Sequence, residues 1–537
     1  MADIRREAEE TNTRRIPRFT PTQGRGYPRA PLPWYAVIFR SVGFFAIYNY
    51  RILFTLMILV HTYYYYIGKT KSWLFEFPPI LKDATEEDWG KIFAGLLFIR
   101  YSRLLVNMWG YWFLYRPSPI QANPSWTPRD VSVILPTVDP ENPKFDECIR
   151  SILDNRPAAV LIVTVGAAMR QSLELIVERH RRSHPDIEIG ISAILHPSKR
   201  RQVAHAVPHV RTEFTVLADD HVFWPSLNFL HAALAPFEDP RVGVVATHKR
   251  VRRTTPGRWS LASVLNMIGC FYLERHNWEL AASNAVDGGV FVVSGRTAVY
   301  RSRLLKARGL MQHYCNERFF MQLLGGPGGL GPDDDNFLTR EAYRRDWLIK
   351  YQETRDCVVE TTIGDESVGK FRGQLIRWAR TTFRSNLCNI INDRKKTLER
   401  MPFTYTGVYQ AALYNYALFW DAAIVYSYCH SWRFEGFYST GTYQLLGWMF
   451  FTKIVKILPH FARHPEDFPL VIFQILFGYI HSFIKFWALI TFWDCAWAGR
   501  DLDAIDAESE HYGYALDETF GWGENSPYGR HRYARSI

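Results

Sequence analysis

Long apolar runs lie toward both ends of the chain, and the middle alternates between short apolar and amphipathic segments. The runs span approximately residues 43–67, 92–115, 404–428, 440–458 and 467–493. About twenty apolar residues in a helix are enough to cross a bilayer. The pattern therefore predicts an N-terminal membrane region over 34–116 with two spans, and a C-terminal membrane region over 403–494.

The middle of the chain, residues 128–395, has a different pattern. Four short runs rich in β-branched residues are expected to be strands, at 131–135, 160–165, 187–194 and 214–218. Helix-like stretches such as 170–183 and 200–207 separate them. This alternation predicts an α/β domain with a mostly parallel sheet and helices on both faces, inserted between α-helical transmembrane segments. Ligands of such sheets bind beyond the carboxyl ends of the strands.

Polar segments close both ends of the chain. Residues 1–33 are basic and rich in Pro and Gly, and are expected to form a flexible cytoplasmic tail. The tail over 495–537 is also expected to be cytoplasmic, which needs an even number of crossings after the central domain. Because three apolar runs follow that domain, either one of them lies in the interface or one crosses twice in shorter pieces.

Composition narrows the class of protein. A hydrophobic content of 47% excludes a mainly disordered chain, and a mean hydropathy of −0.17 excludes a bundle of membrane helices alone. The net charge of +11 fits either nucleic-acid binding or a membrane-facing cytoplasmic surface. We favour the membrane surface and no nucleic acid, because the basic residues border apolar segments. The seven cysteines contain no C-x-x-C spacing, so a zinc site has little support.

Two arginines fall inside the second apolar run. Arg100 and Arg103 are three residues apart and therefore lie on one face of a helix. Charge within a span is costly and usually faces a protein interior or a water-filled path. The alternative is a helix that lies in the membrane interface.

Three polar clusters follow in the central domain. The strand over 214–218 ends in Asp219-Asp220-His221, where carboxylates could hold a divalent cation and, through it, a diphosphate. A helix cap is the alternative. The acidic run Asp333-Asp334-Asp335 follows the Gly-rich stretch 325–329 and is either a solvated loop or a site.

The third cluster, Gln374-Leu375-Ile376-Arg377-Trp378, is predicted to be helical. Gln374 and Arg377 share a face, Arg offers bidentate contacts to phosphate, and the Trp378 ring can support a sugar. Taken alone, this could be an ordinary interfacial helix.

Together, in this order and between membrane segments, the three clusters resemble family 2 glycosyltransferases with a GT-A fold. That group includes hyaluronan, chitin and cellulose synthases, and the similarity is greatest to fungal capsule- or cell-wall-type polysaccharide synthases. Gln374, Arg377 and Trp378 match the family's Q-x-x-R-W in full. Phe319-Phe320, Asp334-Asp335 and Leu338-Thr339 are similar to its acidic loop.

Shorter segments extend the resemblance over roughly 40–500. Ser198-Lys199-Arg200 resembles the family's G-K-R nucleotide-binding turn, with Ser in place of Gly. Ser294-Gly295-Arg296 with Tyr300-Arg301 resembles its acceptor-side segment, and 497–500 resembles the W-G-T-R after the last span. The stretch 164–168 has no Asp where the family often contacts uracil.

The resemblance implies an inverting hexosyltransferase that polymerises sugar from a UDP-sugar donor and exports the growing polysaccharide through the lipid bilayer, from a cytoplasmic catalytic domain at the plasma membrane. It implies Asp335 as general base with Asp334 in support, and Mg²⁺ or Mn²⁺ as cofactor. The metal ligand is Asp220, or Asp219 with His221 in a D-x-H variant. The remaining implied contacts are to the donor diphosphate (Lys199, Arg200, Asp219, Asp220, Arg377) and to the acceptor (Gln374, Trp378, Ser294, Gly295).

Two other functions remain open from the sequence. One is a non-processive transferase that acts on a lipid carrier. The other is a transporter or receptor with a nucleotide-sensing domain. The complete Q-x-x-R-W favours the processive enzyme over both.

Overall fold

The computed structural model describes residues 83–320, 324, 330–364, 367–495 and 520, together with single positions between 34 and 63. Four predicted features therefore lie outside the described residues: the tail 1–33, nearly all of the first span at 43–67, the Gly-rich stretch 325–329 and the segment 497–500. The tail over 495–537 is described only at 495 and 520.

A nine-stranded sheet forms the centre of the domain. Its spatial order is β3-β2-β1-β4-β7-β6-β9-β5, and β8 pairs with β6 outside this path. The strands are β1 (Val131–Pro136), β2 (Ala159–Val165), β3 (Glu188–Ile194), β4 (Phe214–Ala218), β5 (Val222–Phe223), β6 (Val242–Val251), β7 (Thr297–Arg301), β8 (Leu348–Gln352) and β9 (Val358–Thr361).

Sixteen α-helices are described around this sheet and beyond it. In the domain they are α2 (Pro143–Leu153), α3 (Gly166–Ser183), α4 (Lys199–Ala206), α5 (Phe229–Leu234), α6 (Leu261–Asp287), α7 (Ser302–Leu305), α8 (Leu310–Cys315), α9 (Asp334–Arg344), α10 (Val368–Ile391) and α11 (Arg394–Arg400). Before and after it are α1 (Glu86–Trp109), α12 (Ala411–Tyr414), α13 (Ala417–His430), α14 (Thr440–Ile454), α15 (Leu458–Arg463) and α16 (Val471–Leu489).

The predicted strands form because their side chains are buried on both sides of the sheet. Alternate residues of β1 enter different cores: Val131 and Val133 pack with α2, and Ile134 packs with the opposite layer. Parallel strands covered on both faces are expected to be near-continuously apolar. The four predicted strands match β1 to β4 to within a residue.

The sheet is mixed. Pairings β1–β2, β1–β4, β2–β3, β6–β8 and β6–β9 are parallel, and β4–β7, β6–β7 and β5–β9 are antiparallel. The expectation of a mostly parallel sheet holds, but β7 runs against its two neighbours. As a result the amino-terminal end of β7 meets the carboxyl end of β4, with Ala218 opposite Thr297.

Three described helices are long and apolar enough to cross a membrane: Glu86–Leu114, Thr440–Arg463 and Pro465–Leu489. The last has an inside-out pattern, since Ile472, Leu476 and Ile480 are exposed whereas Ser482 and Lys485 are buried. Apolar outside and polar inside is typical of a helix in lipid.

The apolar run at 404–428 is not among these helices. A π-helical turn (Thr404–Gln410) and α12 end at an interruption at Asn415 and Tyr416, and α13 begins afterwards. The carbonyl groups of Ala412 and Asn415, which the interruption frees, accept hydrogen bonds from Lys485. The fourteen residues of α13 span about 21 Å, less than the roughly 30 Å of a hydrocarbon core.

A buried ion pair joins the central domain to the apolar helices. Arg253, just after β6, contacts Asp467 at 2.7 Å, and both side chains are almost fully buried. Asp467 also accepts from the amide of Gly257 and contacts His460. Because a charge left unpaired there would be costly, this contact fixes the domain against α15 and α16.

Candidate active site

One cavity of about 880 Å³ lies at the carboxyl ends of β1 and β4 and continues between the apolar helices. Its catalytic end is lined by the residues that follow β4, the first turns of α4 and α9, the turn before β7, and one face of α10. Clefts outside the carboxyl ends of strands are where ligands bind in open α/β sheets.

The two carboxylates that follow β4 have different partners. Asp219 contacts the Lys199 ammonium at 2.6 Å. Asp220 is more deeply buried, accepts a hydrogen bond from Thr137 at 2.9 Å, and lies 3.0 Å from Nδ1 of His221. Neither carboxylate caps a helix, so the cap alternative is wrong.

Lys199 occupies the middle of the catalytic end. Ser198 caps α4 and thereby fixes the lysine in the first helical turn. The ammonium group contacts Asp219, Asp334 at 3.2 Å and the carbonyl oxygen of Gly295 at 3.2 Å. Burial acts to lower the pKa of Lys199, but Asp219 and Asp334 outweigh it and hold that pKa above its usual value. The lysine is therefore a fixed cation beside two acids.

Asp335 sits in the first turn of α9. Its Oδ2 accepts from the amide of Gly295 at 3.2 Å, and its Oδ1 accepts from the amide of Asn336 at 2.9 Å. A Cβ at position 295 would lie 3.0 Å from the Lys199 ammonium and 3.5 Å from Cβ of Asp335. Glycine at 295 thus lets the main chain pass between the lysine and the acid.

The electrostatic environment favours Asp335 as a proton acceptor. Burial and the negative charge of Asp334 raise the pKa of its carboxyl group to about 6, although Lys199 acts to lower it. A carboxylate with a pKa near the working pH is suited to general base catalysis.

Asp333 holds the acidic turn in place. Its backbone is left-handed, with φ of 63°, which Asp tolerates better than most residues. Its side chain is buried and accepts from Nε and Nη2 of Arg384, at 2.7 and 3.1 Å, and Thr381 donates to it at 2.6 Å. The turn is therefore not a solvated loop but is tied to α10.

Helix α10 carries the Q-x-x-R-W residues into the cavity. Gln374, Arg377 and Trp378 all line it. The Trp378 ring stacks on Tyr272 of α6 with centroids 5.2 Å apart, and the Arg296 guanidinium lies over Trp378 at 5.4 Å. Burial lowers the pKa of Arg377, although Asp335 and Asp219 act to raise it.

The cavity brings together every site residue predicted from the sequence except Arg200. The Arg200 side chain is buried elsewhere, where it bonds to Glu317 and to the carbonyl groups of Tyr314 and Pro332. Neighbouring residues on a helix point about 100° apart, and here Lys199 points into the cavity whereas Arg200 points away from it. The guanidinium supports the segment that leads into the acidic turn and does not reach the donor side.

Sequence reasoning assigned no role to three cavity residues. Lys249 on β6 is buried, which lowers its pKa to about 7. The Arg296 guanidinium lies over the Trp378 ring, and burial lowers the pKa of Arg296 although the charge of Asp219 acts to raise it. Thr137 follows β1 and holds Asp220. Thr137 could have been found, because it directly follows a buried strand next to β4. Lys249 could not, because the polar end of β6 around it matches no motif that marks a site.

The side chains at the catalytic end of the cavity fit a divalent cation. Among the residues that the structure describes, no three His, Cys, Asp or Glu side chains are grouped as a complete metal site. Mg²⁺ is usually held by one or two carboxylates together with substrate phosphates and water, so a single buried Asp220 beside His221 is compatible. Asp219 is less available, because Lys199 neutralises it.

Comparison with known proteins identifies the class. The family described as "Glycosyltransferase like family 2" matches residues 128–381. A "Type 2 glycosyltransferase" of Zymoseptoria tritici is 34% identical over 417 residues, which is 77% of this chain and 84% of the relative. The "NDP-glycosyltransferase ltbB" of Aspergillus luteorubrus is 26% identical over 73% of this chain and 94% of that protein.

The chain therefore belongs to the family 2 glycosyltransferases, which transfer a sugar from a nucleotide-sugar donor. Among solved structures, it is similar to a mannosyltransferase from Pyrobaculum calidifontis determined with GDP-Man and Mn²⁺. The TM-score is 0.45 and the identity 19%, over 74% of this chain and 98% of that one.

The pKa of Asp335 generates a prediction for the pH profile. If Asp335 must be deprotonated, kcat/KM should fall about tenfold per pH unit below a midpoint near 6. Asp334→Asn removes a charge that raises this pKa and frees Lys199 to lower it, so the acid limb should move to lower pH. Initial rates from pH 4.5 to 8 measure the limb. The surface variant Asp346→Asn is the matched control, and an unmoved limb in Asp334→Asn would refute the assignment.

Proposed function

We propose that the protein is a processive, inverting hexosyltransferase that polymerises a sugar from a UDP-sugar and exports the polysaccharide across a membrane. The observation that carries the proposal is the continuity of the cavity, which extends from Asp335 to residues of the candidate spans such as Arg103 and Lys456. An acceptor held at Asp335 then has a path for its distal end between the helices.

The proposed transfer is a single displacement. The acceptor hydroxyl oxygen attacks the anomeric carbon as the bond from that carbon to the donor phosphate breaks, and the hydroxyl proton passes to Asp335. The nucleoside diphosphate leaves with the bonding electrons. Lys199 and Arg377, both fixed in a buried site, offset the charge that develops on it. One displacement inverts the anomeric configuration and needs no covalent enzyme intermediate.

Trp378 is proposed as the platform for the acceptor sugar. Its ring is fixed by Tyr272 on one side and by Arg296, so it can present a flat apolar surface without losing side-chain entropy on binding. Gln374, one turn earlier on α10, and Ser294 and Gly295, before β7, complete the proposed acceptor side.

The proposed setting is the plasma membrane, with residues 128–395 in the cytoplasm, where the donor is made. Two of the three candidate spans follow that domain, which is the even number that a cytoplasmic tail over 495–537 requires. The same count supports the placement of the interrupted segment 404–428 in the interface.

A non-processive transferase that acts on a lipid carrier is the second candidate. The high density of cations where the cavity meets the spans favours it, because a lipid carrier presents its charged group at that level. A transporter or receptor is less favoured, because neither needs a buried acid that is tuned to accept a proton.

The metal is proposed to be Mg²⁺ or Mn²⁺ held by Asp220, with His221 as neighbour. When bound, it would offset charge on the leaving diphosphate.

Chelator should abolish transfer, and either cation should restore it. Asp220→Ala should abolish UDP-sugar turnover, whereas Asp219→Ala should retain more. If Asp219→Ala lost more turnover than Asp220→Ala, and His221→Ala also lost most of its turnover, the metal ligands would be Asp219 and His221 instead of Asp220.

The base assignment is tested by Asp335→Asn, which preserves size but cannot take the proton. Transfer should fall by at least about a hundredfold while UDP affinity stays near normal. The protein is first incubated with a panel of radiolabelled UDP-sugars to find the donor, and turnover and UDP affinity are then measured on one preparation. Near-normal turnover in Asp335→Asn, with collapse in Asp334→Asn, would move the base by one position.

A further inference from the structure

Six cations converge where the cavity passes from the catalytic domain into the apolar helices. We call them the cationic cluster: Arg100, Arg103, Arg275, Lys453, Lys456 and Lys485. Five are on candidate membrane spans, and Arg275 is on α6. Arg100 and Arg103 of the second apolar run, which were expected to face an interior or a path, thus line this part of the cavity.

The two parts of the cavity differ sharply in charge. At the catalytic end, six acids line the wall (Asp139, Asp219, Asp220, Asp333, Asp334, Asp335). They are balanced by six cations (Lys144, Lys199, Lys249, Arg296, Lys370, Arg377). Within the described lining, the cationic cluster faces one carboxylate, Glu279, and Asp421 approaches it from outside the lining.

The cluster is compact because its members share partners. Glu279 contacts Arg103 at 3.2 Å and Lys456 at 2.6 Å. Asp421 contacts both Lys453 and Arg100.

Asn415 extends this network. Its side-chain oxygen accepts from Arg100, and its main-chain oxygen accepts from Lys485 at 3.0 Å. Burial acts to raise the pKa of Glu279, but Lys456, Arg103 and Arg275 outweigh it and hold that pKa below its usual value. The Glu279 carboxylate thus interacts electrostatically with three cations.

Such an arrangement is costly without a ligand. Buried charges are normally paired, and ionisable side chains on apolar spans usually mark a functional site. Buried polar atoms beside the cluster also lack hydrogen-bond partners among the described residues, including Nε of Arg103, Nε of Arg275 and Nε2 of His481. These donors can serve a ligand that carries more than one negative charge.

The cluster connects to the catalytic end along one face of α6. Tyr272, Arg275 and Glu279 are spaced by three and four residues, so they share that face. Tyr272 stacks on Trp378, and the Arg275 guanidinium lies 5.0 Å from the centre of the Tyr272 ring. From Tyr272 to Glu279 the helix rises about 10 Å. A group bound by the cluster is therefore separated from the acceptor platform by the length of a short glycan.

We propose that the cationic cluster binds the phosphate of a glycosylated lipid phosphate, and that a sugar hydroxyl of this molecule is the acceptor that primes synthesis. This inference rests on the proposed function, since it names the acceptor of the same site. The lipid enters at the junction of the catalytic domain and the spans, with its phosphate among the cations and its sugar on Trp378.

The compactness of the cationic cluster favours a phosphate group as its ligand over an acidic polysaccharide that passes through the cavity. A chain that moves through a channel must bind weakly enough to leave each position. Cations that share Glu279, Asp421 and Asn415 as partners would hold a passing carboxylate rather than release it, whereas they suit the phosphate of a primer. The bonds that form and break, and the transfer of the hydroxyl proton to Asp335, are the same as in the proposed transfer. The nucleophile is the hydroxyl group of the lipid-linked sugar.

The test measures binding to the full-length protein in a neutral detergent, with four probes: farnesyl phosphate, farnesol, inorganic phosphate and an oligoglucuronate. Farnesyl phosphate should raise the thermal midpoint and bind at least about tenfold more tightly than the other three. Lys485→Gln, which removes a cation that donates to the carbonyl groups of Ala412 and Asn415 and lies over the Tyr416 ring, should weaken farnesyl phosphate binding about tenfold or more.

Controls separate this inference from the proposed function. Lys91→Gln, at an exposed pair with Glu87, should bind farnesyl phosphate as the wild type does. UDP affinity should be unchanged in Lys485→Gln, and the rise of its midpoint with farnesyl phosphate is measured from its own midpoint without ligand, because the carbonyl groups of Ala412 and Asn415 lose a donor in this variant. Equal binding of farnesol, inorganic phosphate or the oligoglucuronate, or equal binding by Lys485→Gln, would overturn the inference. These outcomes do not depend on whether Asp335→Asn abolishes transfer.

Discussion

The buried ion pair between Asp333 and Arg384 is the contact on which the catalytic geometry depends. It ties the acidic turn before α9 to the helix that carries the Q-x-x-R-W residues, and Arg384 also donates to the carbonyl groups of Phe492 and Asp494. The proposed base, the acceptor platform and the chain beyond the last span are thereby fixed to one guanidinium. A loop with three adjacent acids can be ordered here because the first acid is neutralised by Arg384 and the second by Lys199.

Charge is distributed to serve two different ligands in one cavity. Acids and cations are balanced at the catalytic end, where a nucleotide diphosphate and a cation would arrive together. Beyond Tyr272 the balance is lost and cations dominate. The interruption at Asn415 belongs to this second region, since it supplies oxygen partners for Arg100 and Lys485. An apolar helix that is broken at a polar cavity is tolerated where the freed carbonyl groups find donors.

The sequence predicted the parts of the fold that local pattern controls. Buried β-branched runs located β1 to β4, and the full Q-x-x-R-W located the face of α10 that lines the cavity. What it could not predict depended on long-range packing. β7 is antiparallel because it pairs with β4 and β6. Arg200 turns away from the cavity because it contacts Glu317. The role of Asp333 depends on Arg384, which lies 51 residues away.

A double-mutant cycle on the Asp333 and Arg384 pair tests this account most directly. Asp333→Asn and Arg384→Gln should each lower the thermal midpoint and reduce transfer at least about tenfold, because each leaves one buried charge unpaired and loosens the turn that holds Asp335. The double variant should recover part of the stability, with a coupling energy of about 1–3 kcal/mol, but not the rate. Additive losses of stability with transfer near the wild-type rate would contradict the claim that this pair positions the base.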